Sequence, residues 1–323
     1  MKANFFKYLK LIIPILIGFA CIYYSTTNLT QEEINSIIQS FSNVKYSWVF
    51  FGVFLGGLSH ISRSYRWKYL LRPLGYNISF LNSVLAVFSG YLINYTIPRA
   101  GDIARGTIAY KYEGIPLEKG LGTIVAERAV DILCISILII IGLFINYELI
   151  SKKLLEASNF IDIKFFFVIG IALATMLFLL LKKMNNSLRI ISKLQDFLNG
   201  LYKGFMIIFK LKNKWLFIFH SIFIWLMYIL MFLVTTKAVS ELPDLSFQII
   251  LISFILASLT IVFTPGGIGA YPLAVQISFS WFGISSISSL SFGWIMWTSQ
   301  TLMIIIFGGL SLIILPFVNN KKV

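Results

Sequence analysis

The sequence is short of charge. Only 12% of its 323 residues are Asp, Glu, Lys or Arg, about half of the roughly 25% found in a soluble domain. That excludes a freely soluble enzyme and a disordered chain. Acidic residues are scarcer still, 13 against 27 Lys and Arg, which leaves a net charge of +14. A basic excess often marks a nucleic-acid binder, but with 58% apolar residues and a mean hydropathy of +0.85 no nucleic acid is expected as a partner. The charge is read as membrane topology instead. The two cysteines, Cys21 and Cys134, lie inside apolar runs, which excludes a disulfide-stapled module. His60 and His220 stand alone in the sequence, so no metal-ligand spacing exists and neither metal nor cofactor is expected. Catalytic patterns are missing too. There is no Ser/His/Asp arrangement, no Asp-x-Asp pair and no glycine loop following a strand, so no enzyme and no ATP-driven pump is expected.

What the chain does have is long apolar runs. A span takes about 20 apolar residues. Six stretches are candidates: Leu9–Ser25, Trp48–Ile61, Ala129–Tyr147, Phe165–Leu181, Trp215–Thr236 and Leu290–Phe317. The first follows Lys2, Lys7 and Lys10 and lacks an Ala-x-Ala site, so it is read as an uncleaved span. Two more runs, Leu81–Pro98 and Phe247–Phe263, stop at Pro98-Arg99-Ala100-Gly101 and Pro265-Gly266-Gly267-Ile268-Gly269.

Charge then sets the orientation. Arg63, Arg66, Lys68 and Arg72 place the segment after the second span inside. The segment 182–214 holds eight Lys and Arg against Asp196, a net of +7, and is also inside. Loops 26–46 and 237–246 each carry a net −1 and suit the outside, while Lys321 and Lys322 put the C-terminus inside. Two full spans already connect residue 72 to residue 182. A third crossing by Leu81–Pro98 would move the +7 segment outside. This run is therefore expected to enter, turn at Pro98–Gly101 and leave on the same side. By the same parity Phe247–Phe263 and the short Tyr271–Trp281 form a second hairpin, entered from outside. Re-entrant backbone is tolerated where protein or a watery cavity surrounds it, and transporters build midplane sites from such broken helices. The expected fold is an all-α polytopic membrane protein with about six full spans and two re-entrant helical hairpins, one membrane domain over 1–323. Two Pro-Gly turns entered from opposite faces suggest an inverted repeat; unrelated helix breaks produce the same pattern. Thr30-Gln31-Glu32-Glu33 is a capping box opening a lateral outer helix. Ile190 to Phe209 keep helical spacing, as an interfacial helix on anionic lipid or a solvated loop helix would.

The candidate site is the charged stretch Asn94 to Asp131. Arg99 and Arg105 flank the first hairpin tip, where a helix N-terminus and bidentate guanidinium donors suit a phosphate. Asp102 can orient an arginine. Glu127 and Asp131 share a helix face, with Arg128 in reach of Asp131. The other reading is that Arg99, Arg105 and Arg128 merely neutralise Asp102, Glu127 and Asp131 to hold the hairpin. The Arg63–Arg72 stretch is mostly an interfacial anchor, although Arg66 can also catch a lipid phosphate.

Taken in order, Arg63…Arg66-Trp67, Asn94…Pro98-Arg99-Ala100-Gly101-Asp102…Arg105, Glu127-Arg128…Asp131 and Pro265-Gly266-Gly267-Ile268-Gly269 resemble the flippase-like family, also called the lysylphosphatidylglycerol synthase transmembrane-region family. The resemblance implies about eight hydrophobic segments and movement of a lipid between leaflets. Some relatives join this region to an aminoacyl-transfer domain, which has no counterpart here, so that chemistry is not expected. Relatives often carry an acidic residue after the glycine turn, where Ala270-Tyr271-Pro272 stands, and a glutamate at the place of Asp102. The expected function is translocation of a phosphate-bearing lipid in the cytoplasmic membrane, with both termini inside. Its substrate-binding residues are Asn94, Arg99, Asp102, Arg105, Glu127, Arg128, Asp131 and Arg66. Its hairpin turns are Pro98, Gly101, Pro265, Gly266, Gly267 and Gly269. Anionic membrane lipids are the expected partners, with an envelope-synthesis enzyme as a second. The alternative is an embedded enzyme or accessory subunit of glycolipid, isoprenoid-phosphate or envelope synthesis.

Overall fold

The computed structural model describes residues 2–27, 29–97, 100–149, 151–152, 211–262 and 264–320. Among them every regular element is helical: α1 (Lys2–Thr26), α2 (Gln31–Ser42), α3 (Tyr46–Leu71), α4 (Phe80–Thr96), α5 (Gly101–Glu113), α6 (Leu117–Ile145), α7 (Lys214–Thr236), α8 (Phe247–Thr260), α9 (Ala270–Ser280) and α10 (Ser286–Asn319). The expected span Phe165–Leu181, the interfacial stretch around Ile190–Phe209 and the turn residues Pro98 and Arg99 lie outside the described residues.

The chain forms two compact units, one of residues 1–124 and 211–323, the other of 125–210. Helices α6, α7 and α10 are each long and apolar enough to cross a membrane. Helix α2 opens on the expected capping box. The Thr30 hydroxyl accepts from the Glu33 amide, and the Glu33 carboxylate accepts from the Thr30 amide at 2.8 Å. It is bent by 112° from α1, as a lateral helix would be.

Helix α3 runs ten residues beyond the expected Ile61. The basic stretch keeps a helical period that buries one stripe: Ser59, His60, Arg63, Arg66, Trp67 and Leu70. It packs on α7 through glycines four residues apart, the small-residue contact that lets membrane helices approach closely. A Cβ on Gly52 would lie 2.5 Å from Thr235 Oγ1, and one on Gly56 2.8 Å from Met231 Sδ.

The two broken segments are both helical hairpins, and α10 locates them. At its C-terminal end Asn319 and Asn82, near the start of α4, exchange two side-chain hydrogen bonds of 2.9 Å. The end of α5 returns to the same place, since Glu113 Oε1 accepts from the Ser79 amide at 3.0 Å and from Asn82 Nδ2 at 2.6 Å. Leu85, Tyr112 and Leu315 cluster one turn deeper. Deeper again, a Cβ on Gly308 would meet Leu92 Cβ at 2.6 Å. Helix α9 follows the other half of α10. The Gln276 amide donates to Ser286 Oγ at 2.6 Å, and Phe279 stacks on Phe292 with centroids 5.6 Å apart. That is the end at which loops 26–46 and 237–246 also meet, the Lys45 amide donating to Ala238 O at 3.0 Å. The hairpins therefore open at opposite ends of α10.

Candidate functional site

The tips of the two hairpins converge midway along α10. Trp297 Nε1 donates to Gly266 O at 2.8 Å, and a Cβ on Gly266 would sit 2.2 Å from Tyr95 Cε1. At 1.5 Å per residue, Thr301 lies about 23 Å from one end of α10 and about 27 Å from the other. The second tip needs its glycines: Gly266, Gly267 and Gly269 all have positive φ, a conformation that costs other residues. Gly269 also abuts α1, where a Cβ would fall 2.3 Å from Gly18 O. Beside the tips lies a cavity of about 490 Å³, bordered by Phe19 of α1, Tyr95 of α4 and Ile97 just after it, Pro265 and Ile268 of the second tip, and Trp297 and Thr301 of α10. Its lining is apolar and aromatic, with hydroxyls at Tyr95, Thr96 and Thr301.

At the first tip Asn94 Oδ1 accepts from the Gly101 amide at 2.7 Å. Asn94 thereby caps α5 from the opposite arm and closes the turn. Gly101 itself is pressed on α4, where a Cβ would meet Gly90 O at 1.9 Å. Asp102, half-buried, stands in the first turn of α5. Arg105, one turn later, is buried, with Cζ 3.9 Å from the centroid of the Trp67 ring. Trp67 is held in turn by Thr123, whose Oγ1 accepts from Nε1 at 2.9 Å. A guanidinium over an indole face is a favourable cation–π pair, stronger when removed from water.

Arg66 is fully buried; Nη1 donates to Ser221 Oγ at 3.3 Å and Cζ lies 5.7 Å from the Phe217 ring centroid. Arg63 is buried as well, 5.8 Å from the Tyr91 centroid. These two arginines thus depart from the interfacial-anchor reading, because their stripe faces α4 and α7. Arg72 is exposed, as an anchor should be. In the second unit, Arg128 Nη1 and Asp131 Oδ2 form the expected ion pair at 3.4 Å, and Glu127 and Asp131 are both buried.

Other side chains come together that the sequence left apart. His60 lies among Tyr91, Phe88 and Tyr228, with ring centroids at 4.4, 5.2 and 6.1 Å. Ser62 Oγ is 2.8 Å from His220 Nδ1 across 158 residues of chain. The one sequence signal for the first group was the polar period of α3, at residues 59, 60, 63 and 66. Nothing local pointed to Tyr91 or Tyr228.

Comparison with known proteins places the chain among membrane proteins. A UPF0104 membrane protein of Methanocaldococcus jannaschii is 25% identical over 281 residues, covering 78% of this chain and 80% of the relative. The model of the lysylphosphatidylglycerol synthase TM region matches residues 11–309, and with its apolar helices the chain is a multi-pass membrane protein of that family.

Proposed function

We propose that the protein is a lipid translocase of the cytoplasmic membrane, both termini inside, that moves a phosphate-bearing lipid between leaflets without covalent chemistry. The observation that carries this is the meeting of two helical hairpins, opened at opposite ends of α10, at its midpoint beside a cavity. Broken helices of this kind form midplane binding sites in transporters, where backbone freed from the helix ladder faces substrate. The charge pattern gives the orientation. Arg105 and Arg66 supply the phosphate donors, with Arg99 assigned to the same role from the sequence. Asp102 is the balancing charge that lets an anion leave again, a role the sequence also assigns to Glu127, Arg128 and Asp131. The family name speaks of a synthase region, which is why a lipid headgroup is the substrate class.

The test is transfer of fluorescent phosphatidylglycerol in proteoliposomes, read by an added quencher. The parent should transfer lipid faster than empty vesicles. Arg105→Gln should slow transfer roughly tenfold, the equivalent of one charge-assisted contact, and Arg99→Ala should slow it similarly, with the elution profiles of both variants unchanged and a melting temperature lowered in Arg105→Gln by loss of the Trp67 contact. Transfer no faster than empty vesicles, or variants as fast as the parent, would sink the reading. Conversion of the lipid to a new covalent product, seen by mass spectrometry, would instead favour an embedded enzyme.

A further inference from the structure

The buried polar stripe of α3 ends on a residue that neither the hairpins nor the arginine sites use. His60 is 4% exposed, in the middle of a helix of 26 residues, and its Nδ1 makes no hydrogen bond among the described residues. A buried nitrogen without a partner costs about 1–3 kcal/mol, and a phenylalanine would pack in the same aromatic surroundings without that cost. Such groups call for an explanation, and ionisable residues at membrane depth commonly mark a pathway or a proton relay.

The surroundings are suited to one. The Tyr91 ring of α4 and the Tyr228 ring of α7 both stand roughly perpendicular to the imidazole, at interplanar angles of 63° and 67°. Arg63, one turn along α3, is the charged neighbour, its Cζ 5.8 Å from the Tyr91 ring centroid. From α10 the residues clustered with Phe88 are Met303 and Ile304, neither of them ionisable. Aromatic faces accommodate a cation. One helical turn separates His60 from Arg63 and another separates Arg63 from Arg66, so the His60 and Arg66 backbones lie about 9 Å apart along the helix axis.

We propose that His60 is a proton-binding site coupled to the anionic headgroup, so that binding of the lipid phosphate and protonation of this imidazole favour each other. This rests on the translocase reading and supplies it with an ion to couple to. A proton on His60 adds a positive charge to a site removed from water, whatever partners the neighbouring guanidinium keeps. A phosphodiester held by Arg66, two turns further along α3, brings the opposite charge to the same stripe. Each ligand lowers the cost of the other, and linkage makes the effect reciprocal. No bond is made or broken; the proton comes from water and returns to it.

The experiment measures the Kd of the full-length, detergent-solubilised protein for dihexanoyl-phosphatidylglycerol between pH 5.5 and 8. The phosphodiester stays singly ionised over this range, so the lipid contributes no titration of its own. The parent should bind more tightly as pH falls, approaching tenfold per pH unit where one proton is taken up. His60→Gln should bind with an affinity independent of pH, and His60→Phe, which keeps the aromatic packing, should behave the same with a melting temperature at or above the parent's. His220→Gln should keep the parent's pH dependence. The proposal is overturned if the parent's affinity is flat with pH, or if both His60 variants keep the parent's slope, or if the slope goes with His220 alone. Absence of lipid binding by the parent at every pH would overturn the translocase reading beneath it, a different result from binding without pH dependence.

Discussion

Gly101 and Asn94 show how much rests on single atoms at the first hairpin. The Cβ of an alanine at 101 would lie 1.9 Å from Gly90 O, a backbone atom that can yield only if α5 moves off α4. Gly101→Ala should therefore abolish a folded protein or lower its melting temperature by many degrees, whereas Gly122→Ala, with open space around it, should change it little. Thermal unfolding of the two variants side by side checks this. Asn94→Ala leaves the first amide of α5 without its acceptor, a loss of about 1–3 kcal/mol. Asn94→Asp keeps an acceptor oxygen there and should recover most of that stability. Asn94 was legible from the sequence as part of the charged stretch, but as a ligand. Its hydrogen bond across the turn makes it a structural cap, because only the folded hairpin brings residue 94 beside residue 101.

At the scale of elements, the hairpin tips form one joint. The second tip presents Gly266 to Tyr95, where even a methyl group would overlap the ring, and a left-handed φ of 59° adds strain for any other residue. Gly266→Ala should part the tips and slow lipid transfer by tenfold or more, while Gly283→Ala, also at positive φ but with nothing near its Cβ, should cost stability without that loss. Equal transfer rates in the two variants would count against the joint. The Pro-Gly punctuation at both tips was legible because helices stop there for local reasons. Their meeting was not, since residues 95 and 266 are brought together by two separate arms lying along α10. Helix α3 shows the opposite case, where a run of Arg and Lys looked like an end of the span. The helix continues because its basic residues keep the period that buries them against α4 and α7.

For the whole molecule, the hairpins make a prediction about sidedness. Cysteines placed at Gly75 and Gly114 flank the first hairpin, and those at Leu242 and Gly283 flank the second. In a background with Cys21 and Cys134 replaced by serine, a membrane-impermeant thiol reagent should label 75 and 114 from the cytoplasmic side only. It should label 242 and 283 from the outside only. Labelling of 75 and 114 from opposite sides would make α4 a full span and reverse everything after it. The latch of Ser79, Asn82, Glu113 and Asn319 is the structural reason to expect the first pair on one side.

The sequence by itself determined the class of molecule, since a chain with so little charge and such long apolar runs can satisfy its backbone in lipid only as helices. It also marked where those helices break and, through parity, predicted that two of the runs double back. Tertiary structure alone decided what the breaks and charges do. It set the tips against each other at the middle of α10, turned Asn94 into a cap, laid Arg105 on Trp67 and enclosed His60 among rings from α4 and α7. The physical reason is the range of the forces involved. Hydropathy and charge act residue by residue and can be read along the chain, whereas a cation–π contact, a glycine fit or a buried imidazole depends on which helices become neighbours.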